Sequence, residues 1–250
     1  MPKTSHDDAP LFQLFWDNSV LNPTRVLQLA ERIGHDAAQA YVPHRPLHTA
    51  AAEPLPPADS AIANVHARRR SGRAFGTAAL DARSLSNLLR PFAAHTSAPA
   101  STRLLPSGGG KYPVLVYAAL YRVTKTPALD GRIAWYDPAS HGLVPTALAP
   151  AWPVMAKALG VDWPEPPAAV FLLAGRAEGS LRKYGERGGR FLLLEAGAYM
   201  GALGLQVAEA GLSGTAIASF LDADLLRAFG LQGSGQLAVL AYACGSVAPV

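Results

Sequence analysis

The chain has 250 residues, half of them apolar and 16% charged, with a net charge of +4 at pH 7. A sizeable core is available, and no lysine-arginine block marks a nucleic-acid arm. The single cysteine, Cys244, excludes an internal disulfide and a cysteine zinc cluster.

The first residues, Met1-Pro2-Lys3-Thr4-Ser5-His6-Asp7-Asp8, contain no apolar run of the secretory kind. Residues 11–41 carry short helical patterns, with Leu11, Leu14 and Phe15 on one face and Val26, Leu27, Leu29, Ala30 and Ile33 on a second. Five prolines between 42 and 59 mark an extended linker. The division expected is therefore an N-terminal helical arm and linker over 1–61 and a folded body over 62–250. His44 and His48 have helical spacing but stand among prolines, which argues against a metal site.

In the body, Asp81 is placed to cap a helix over 82–90 whose apolar face is Leu85, Leu88 and Leu89. Strands are expected at 113–123, 132–136, 168–174, near 214–219 and at 236–243. Residues 138–156 lack charge, but four prolines rule out a membrane helix there. A loop of basic residues leads into a long small-residue helix over 190–210. Its Glu195, Gln206 and Glu209 make it a poor membrane span. A helix over 222–229, capped by Asp222, follows. Helices and strands interleave irregularly, which gives an α+β body. The chain reads as cytoplasmic, with neither nucleic acid nor membrane as a partner.

The basic residues gather at 68–73 and 182–190, the pattern of a site more than of a diffuse field. In an extended stretch Arg69, Ser71 and Arg73 point the same way, two guanidiniums and a hydroxyl suited to a phosphate. A solvated basic loop offers the same residues. Pro106-Ser107-Gly108-Gly109-Gly110-Lys111-Tyr112-Pro113 fails as a nucleotide P-loop, because Leu105 stands where glycine is needed and Tyr112 where Ser or Thr is needed. Its glycines let bare backbone approach a flat ligand. Lys183-Tyr184 lies among Arg182, Arg187 and Arg190, whose like charge favours a neutral amine at Lys183, and Tyr184 stands ready to relay a proton. A surface Lys-Tyr dipeptide is the plainer source of the same letters.

Taken in order, these segments resemble the SagB-type branch of the flavin-dependent nitroreductase superfamily. Pro106, Ser107, Gly109, Tyr112 and Pro113 match that branch's loop, Lys183-Tyr184 matches its catalytic pair, and residues 131–143 add a Gly-x-x-x-Trp-Tyr-Asp-Pro-x-x-His-x-Leu pattern. The resemblance spans roughly 62–245, with a weaker echo at 11–19. It implies a nitroreductase-like α+β fold, with a mixed central sheet flanked by helices, a long central helix and a homodimer. FMN is the implied cofactor. Arg69, Ser71 and Arg73 would meet its ribityl phosphate, and Pro106, Ser107, Gly108 and Gly109 its ring across the dimer interface. Arg187, Gly214 and Thr215 would complete the cofactor site. Lys183 and Tyr184 would be catalytic.

The implied reaction is oxidation of thiazoline or oxazoline rings to azoles in a ribosomally made peptide. The partners would be a modified precursor peptide and a cyclodehydratase complex. The helix departs from the branch's pattern, because Ala198, Gly201 and Ala202 stand where it has His, Gln and Asn. That leaves open an NAD(P)H-dependent nitro- or quinone reductase, and a flavin-free scaffold of a peptide-modifying complex.

Overall fold

The computed structural model describes residues 9–37, 53–95 and 102–249. His44, His48 and the linker up to residue 52 lie outside the described residues.

Six strands form one sheet: β1 (Val114–Leu120), β2 (Arg132–Asp137), β3 (Gly142–Leu148), β4 (Ala169–Gly175), β5 (Ser213–Ile217) and β6 (Leu237–Gly245), in spatial order β3-β2-β1-β4-β6-β5. The sheet was expected to be mixed, yet all five strand pairings are antiparallel. The parallel component among the described residues is one bridge, Leu80 to Val123. Central β4 is buried at every position, which is why Ala-Val-Phe-Leu-Leu-Ala-Gly reads as a continuous apolar run without alternation.

The described residues form eight α-helices: α1 (Pro10–Ser19), α2 (Pro23–Ala37), α3 (Ala61–Arg68), α4 (Ala82–Leu89), α5 (Trp152–Leu159), α6 (Glu178–Tyr184), α7 (Glu186–Glu209) and α8 (Asp222–Ala228). On one face, the α7 residues Leu192, Ala196, Tyr199, Leu203 and Val207 join Val116, Ala118 and Phe171 in the larger core. Their spacing of three and four is that of a helix with one buried stripe. α7 is long and apolar enough to cross a membrane by length and composition, but this stripe is packed on the sheet. On the opposite face α5 and α8 cover Val170 and Leu172 with Met155, Leu159, Leu225 and Phe229.

Several local expectations change. In α1, Leu11, Leu14 and Phe15 are exposed and Phe12 and Trp16 are buried in the main core. The reason lies at the start of α7: a Cβ at Gly189 would run into the Phe12 ring. Glu186 also accepts the N–H groups of Leu11 (2.9 Å) and Phe12 (2.7 Å), capping α1 from a distant position. Asp222 caps nothing; its carboxylate accepts the Leu21 N–H at 2.8 Å and holds the α1–α2 joint. Asp81 does cap α4, accepting from Ser84 N–H at 2.8 Å. The proline-rich stretch 138–156 builds β3 and the start of α5, both missed by sequence reasoning because Pro145 and Pro153 read as breakers. Pro153 instead takes a first-turn position, where no N–H is needed.

Candidate functional site

The basic stretch 182–190, read from sequence as a loop, is two helices meeting at a sharp joint. Gly185 turns the chain with φ 54° and ψ −139° between α6 and α7, a conformation open to glycine. Gly188 permits the joint to close, since a Cβ there would strike the Ser180 backbone. Lys183 and Tyr184 therefore sit at the last turn of α6, directed toward the glycine loop.

The loop meets them. A Cβ at Gly109 would collide with the Tyr184 hydroxyl and lie 2.8 Å from Lys183 Nζ. Lys183 Nζ donates to Gly109 O at 3.5 Å and stands 5.1 Å from the Tyr184 ring centroid. Phe191 completes the patch, edge-on to Tyr184 at 4.9 Å and against Gly108. Lys183 is exposed and Tyr184 half-buried. Arg182, one of the guanidiniums beside the pair, is bound to Glu178 at 3.4 Å. Arg187 is exposed on the first turn of α7.

Beneath the loop lies a network that sequence reasoning missed. Tyr112, at φ 45°, is held by donating its N–H to Ser107 Oγ at 2.7 Å. Its hydroxyl accepts the Arg103 N–H at 2.9 Å. The Arg103 guanidinium lies 4.6 Å over the Tyr112 ring and donates to Tyr199 Oη at 3.2 Å. Tyr199 stacks on Phe92 at 4.6 Å. Buried Glu195 accepts from Val114 N–H at 3.4 Å, while its Oε2 has no partner. Burial raises the Glu195 carboxyl above the ordinary glutamate value, against the lowering pull of Ser107, Val114 and Arg103. The available signal was Glu195 as the one charged residue between Arg190 and Glu209.

The other predicted segment sits elsewhere. Arg69 follows α3 as its C-cap, so the 69–73 stretch leaves a helix and runs extended past β5. Gly72 N–H bonds Gly214 O at 2.9 Å, and a Cβ at Gly72 would collide with Ser213 Oγ. Arg69 lies over Gly204 of α7, close to Tyr242. Gly204 is thereby turned inward, while Gly197 and Gly201 face open space. Arg69, Ser71 and Arg73 are exposed, and among the described residues neither arginine forms an ion pair. Thr215 is buried. Gly214 packs against Val207 and Tyr242. The structure thus joins 69–73 with 213–215, and separately joins 106–110 with 183–191. Between Phe191 and Gly204 the two groups are about 20 Å apart along α7.

A family model described as "Nitroreductase family" matches residues 67–246. The chain belongs to the nitroreductase family. The matched span contains every site segment above, from Arg69 to Thr215. Among solved structures, a nitroreductase from Ralstonia eutropha JMP134 is similar at 20% identity and a TM-score of 0.62, over 85% of this chain and 97% of that one. A chain of the E. coli microcin synthetase McbBCD complex with truncated pro-MccB17 bound gives 20% identity and a TM-score of 0.62, over 93% and 96%. A nitroreductase from Anabaena variabilis ATCC 29413 gives 19% and 0.63, over 74% of this chain and 38% of that one. No curated protein matches the chain by sequence. This nitroreductase-family chain shares its fold with all three.

Proposed function

We propose that this chain is an FMN-dependent dehydrogenase that oxidises thiazoline or oxazoline rings of a ribosomally made peptide to azoles, and that it works as a homodimer. The observation that carries the reading is the packing of Lys183 and Tyr184 on the bare backbone of Gly109. It sets an amine and a phenol against the loop backbone, with Gly110 left open beside them. The fold likeness to a microcin synthetase chain is in keeping with a peptide substrate and with a cyclodehydratase complex as partner.

The donor set fits FMN. Arg69 and Arg73, which form no ion pair among the described residues, and the Ser71 hydroxyl suit a single terminal phosphate. In the glycine loop Gly110 offers open backbone for a planar ring, while Phe191 covers one side of Gly108 and Tyr184 one side of Gly109, with Pro106 and Ser107 ahead of them in the loop. Gly214 and Thr215 lie against the 69–73 segment, and Arg187 adds a cation near the pair. Bound FMN would supply the hydride acceptor.

The chain supplies the rest. Lys183 Nζ takes the proton from the ring carbon next to the one that gives up hydride, and Tyr184 Oη steadies the charge that develops. The Tyr112 N–H bond to Ser107 Oγ, with buried Glu195 beneath, fixes the backbone of the loop.

A second copy would complete the same site. One chain presents the phosphate-binding and ring-binding segments from opposite ends of α7. A two-fold pairing of α7 helices would bring the 106–110 loop of one copy to the 69–73 segment of the other. The outer face of α7 suits that contact, since Leu194 is 69% exposed and Gly197, Ala198 and Gly201 lie open beside it.

The test is to incubate FMN-loaded protein with an azoline peptide and look for a two-hydrogen mass loss. Loss of two hydrogens with concurrent flavin reduction supports the reading. No loss, together with rapid bleaching of the flavin by NAD(P)H, would favour a nitro- or quinone reductase. Protein that takes up no FMN would favour a scaffold.

A further inference from the structure

We propose that a basic cleft beside Lys183 is the subsite for an acidic residue of the substrate peptide, and that the peptide continues from it along an adjoining groove on the sheet. This rests on the azoline-oxidising reading above and specifies the substrate it takes.

The cleft holds about 410 Å³ between the 111–112 turn and α6. Arg103, Lys111, Arg176 and Arg182 line it, against one carboxylate, Glu178. That carboxylate is engaged by Arg182 at 3.4 Å, so among the described residues Lys111 and Arg176 have no acidic partner in the cleft, while Arg103 also feels the buried Glu195 carboxyl. Arg103 is held in advance by the Tyr112 ring at 4.6 Å and Tyr199 Oη at 3.2 Å. A guanidinium fixed before binding loses less freedom when it takes up a carboxylate. Arg176 is anchored through its backbone, N–H to Pro113 O at 2.7 Å, while the residue stays exposed.

Position ties the cleft to the reaction. Arg182 precedes Lys183, and Lys111 and Tyr112 continue the loop whose Gly109 carries Lys183 Nζ. An acid seated here lies close along the peptide to a ring held at Lys183.

The neighbouring groove decides what kind of anion fits. It holds about 630 Å³ and shares Leu115, Arg176 and Glu178 with the cleft, so the two are continuous. Phe12, Tyr117, Trp135 and Gln236 line its far part. Each volume is in the range of about 300–1,000 Å³ that a bound ligand occupies. A free phosphate would use the basic end alone. An extended peptide with an acidic residue near the ring uses both, placing its following side chains on the aromatic and amide lining.

Binding can be read apart from turnover with azole peptides, which have no ring hydrogens left to lose. Labelled peptides carrying one Asp or one Asn, moved through the positions flanking the azole, are titrated against FMN-loaded protein by fluorescence anisotropy. At one position Asp is expected to bind about tenfold more tightly than Asn, the effect of one charge-assisted contact. Arg176→Gln should remove most of that advantage, and Arg176→Glu should reverse it in favour of a Lys peptide. Equal affinity for Asp and Asn peptides at every position overturns the proposal. So does an unchanged preference in Arg176→Glu, or displacement by inorganic phosphate without any Asp preference. A parallel mass assay on azoline peptides separates the two readings. An Asp preference without two-hydrogen loss keeps the cleft and sinks the reaction; loss without preference does the reverse.

Discussion

The hydroxyl of Tyr184 occupies the space that a side chain at Gly109 would need. Gly109 also has φ 63°, a conformation that costs other residues energy. Gly109→Ala is therefore expected to push Tyr184 and Lys183 off the loop. A misplacement of about 1 Å costs turnover on the order of a hundredfold. Steady-state kinetics on an azoline peptide would check this, and near-normal kcat would show that the contact is incidental.

Lys183→Ala and Tyr184→Phe should slow oxidation by about 10²–10⁴-fold while FMN stays bound, since general acid–base groups supply gains of that size. Lys183→Arg should fail as well, because a guanidinium does not give up its proton near neutral pH. Retained turnover in either Lys183 variant, with flavin absorbance intact, would make the lysine structural.

Arg69→Ala and Arg73→Ala should each weaken FMN retention. A charge-assisted contact is worth about 1.5–3 kcal/mol, so the dissociation constant should rise by roughly one to two orders of magnitude. Fluorescence titration of the apoprotein measures it. Unchanged affinity in both variants would move the phosphate to another part of the molecule.

A Cβ added at Gly201, an exposed position on α7, meets nothing within 4 Å in the single chain. Gly201→Phe should therefore leave the fold intact and block the pairing of α7 helices. Sedimentation velocity is expected to show a monomer that has lost its flavin, with an unchanged circular dichroism spectrum. A flavin-loaded dimer would place the interface elsewhere.

Glu195 gives a pH signature. Its folded carboxyl is raised by burial above the ordinary value of 4.5, so the fold disfavours its ionised form. Stability from this group is full below the unfolded value and falls as pH rises through the folded one. Glutamine keeps an oxygen that can accept from the Val114 N–H but carries no charge. Glu195→Gln should flatten that fall in thermal melts recorded from acid to neutral pH. Parallel curves for the two proteins would show that ionising Glu195 costs the fold nothing.

Much of this was legible in the sequence, for a physical reason. Burial imposes a local period, so β1, β4 and β6 read as apolar runs and α7 as a long small-residue helix. The family motifs lie in contiguous segments, so the glycine loop and Lys183-Tyr184 stood out as letters. The same local view misread 182–190 as a loop, because its glycines serve helix packing against Ser180 and Phe12. It chose the wrong face of α1, because the partner of Phe12 is Gly189, far along the chain.

Adjacency was decided by tertiary structure alone. Sheet order and the packing of α7 bring Gly109 to Tyr184 and Gly72 to Gly214, and they hold these pairs at opposite ends of one helix. They also bury Glu195 under Ser107 and gather Arg103, Lys111, Arg176 and Arg182 around one cleft. These contacts link residues far apart in the chain. No local period encodes them, because they follow from how the strands and helices are arranged around a common core.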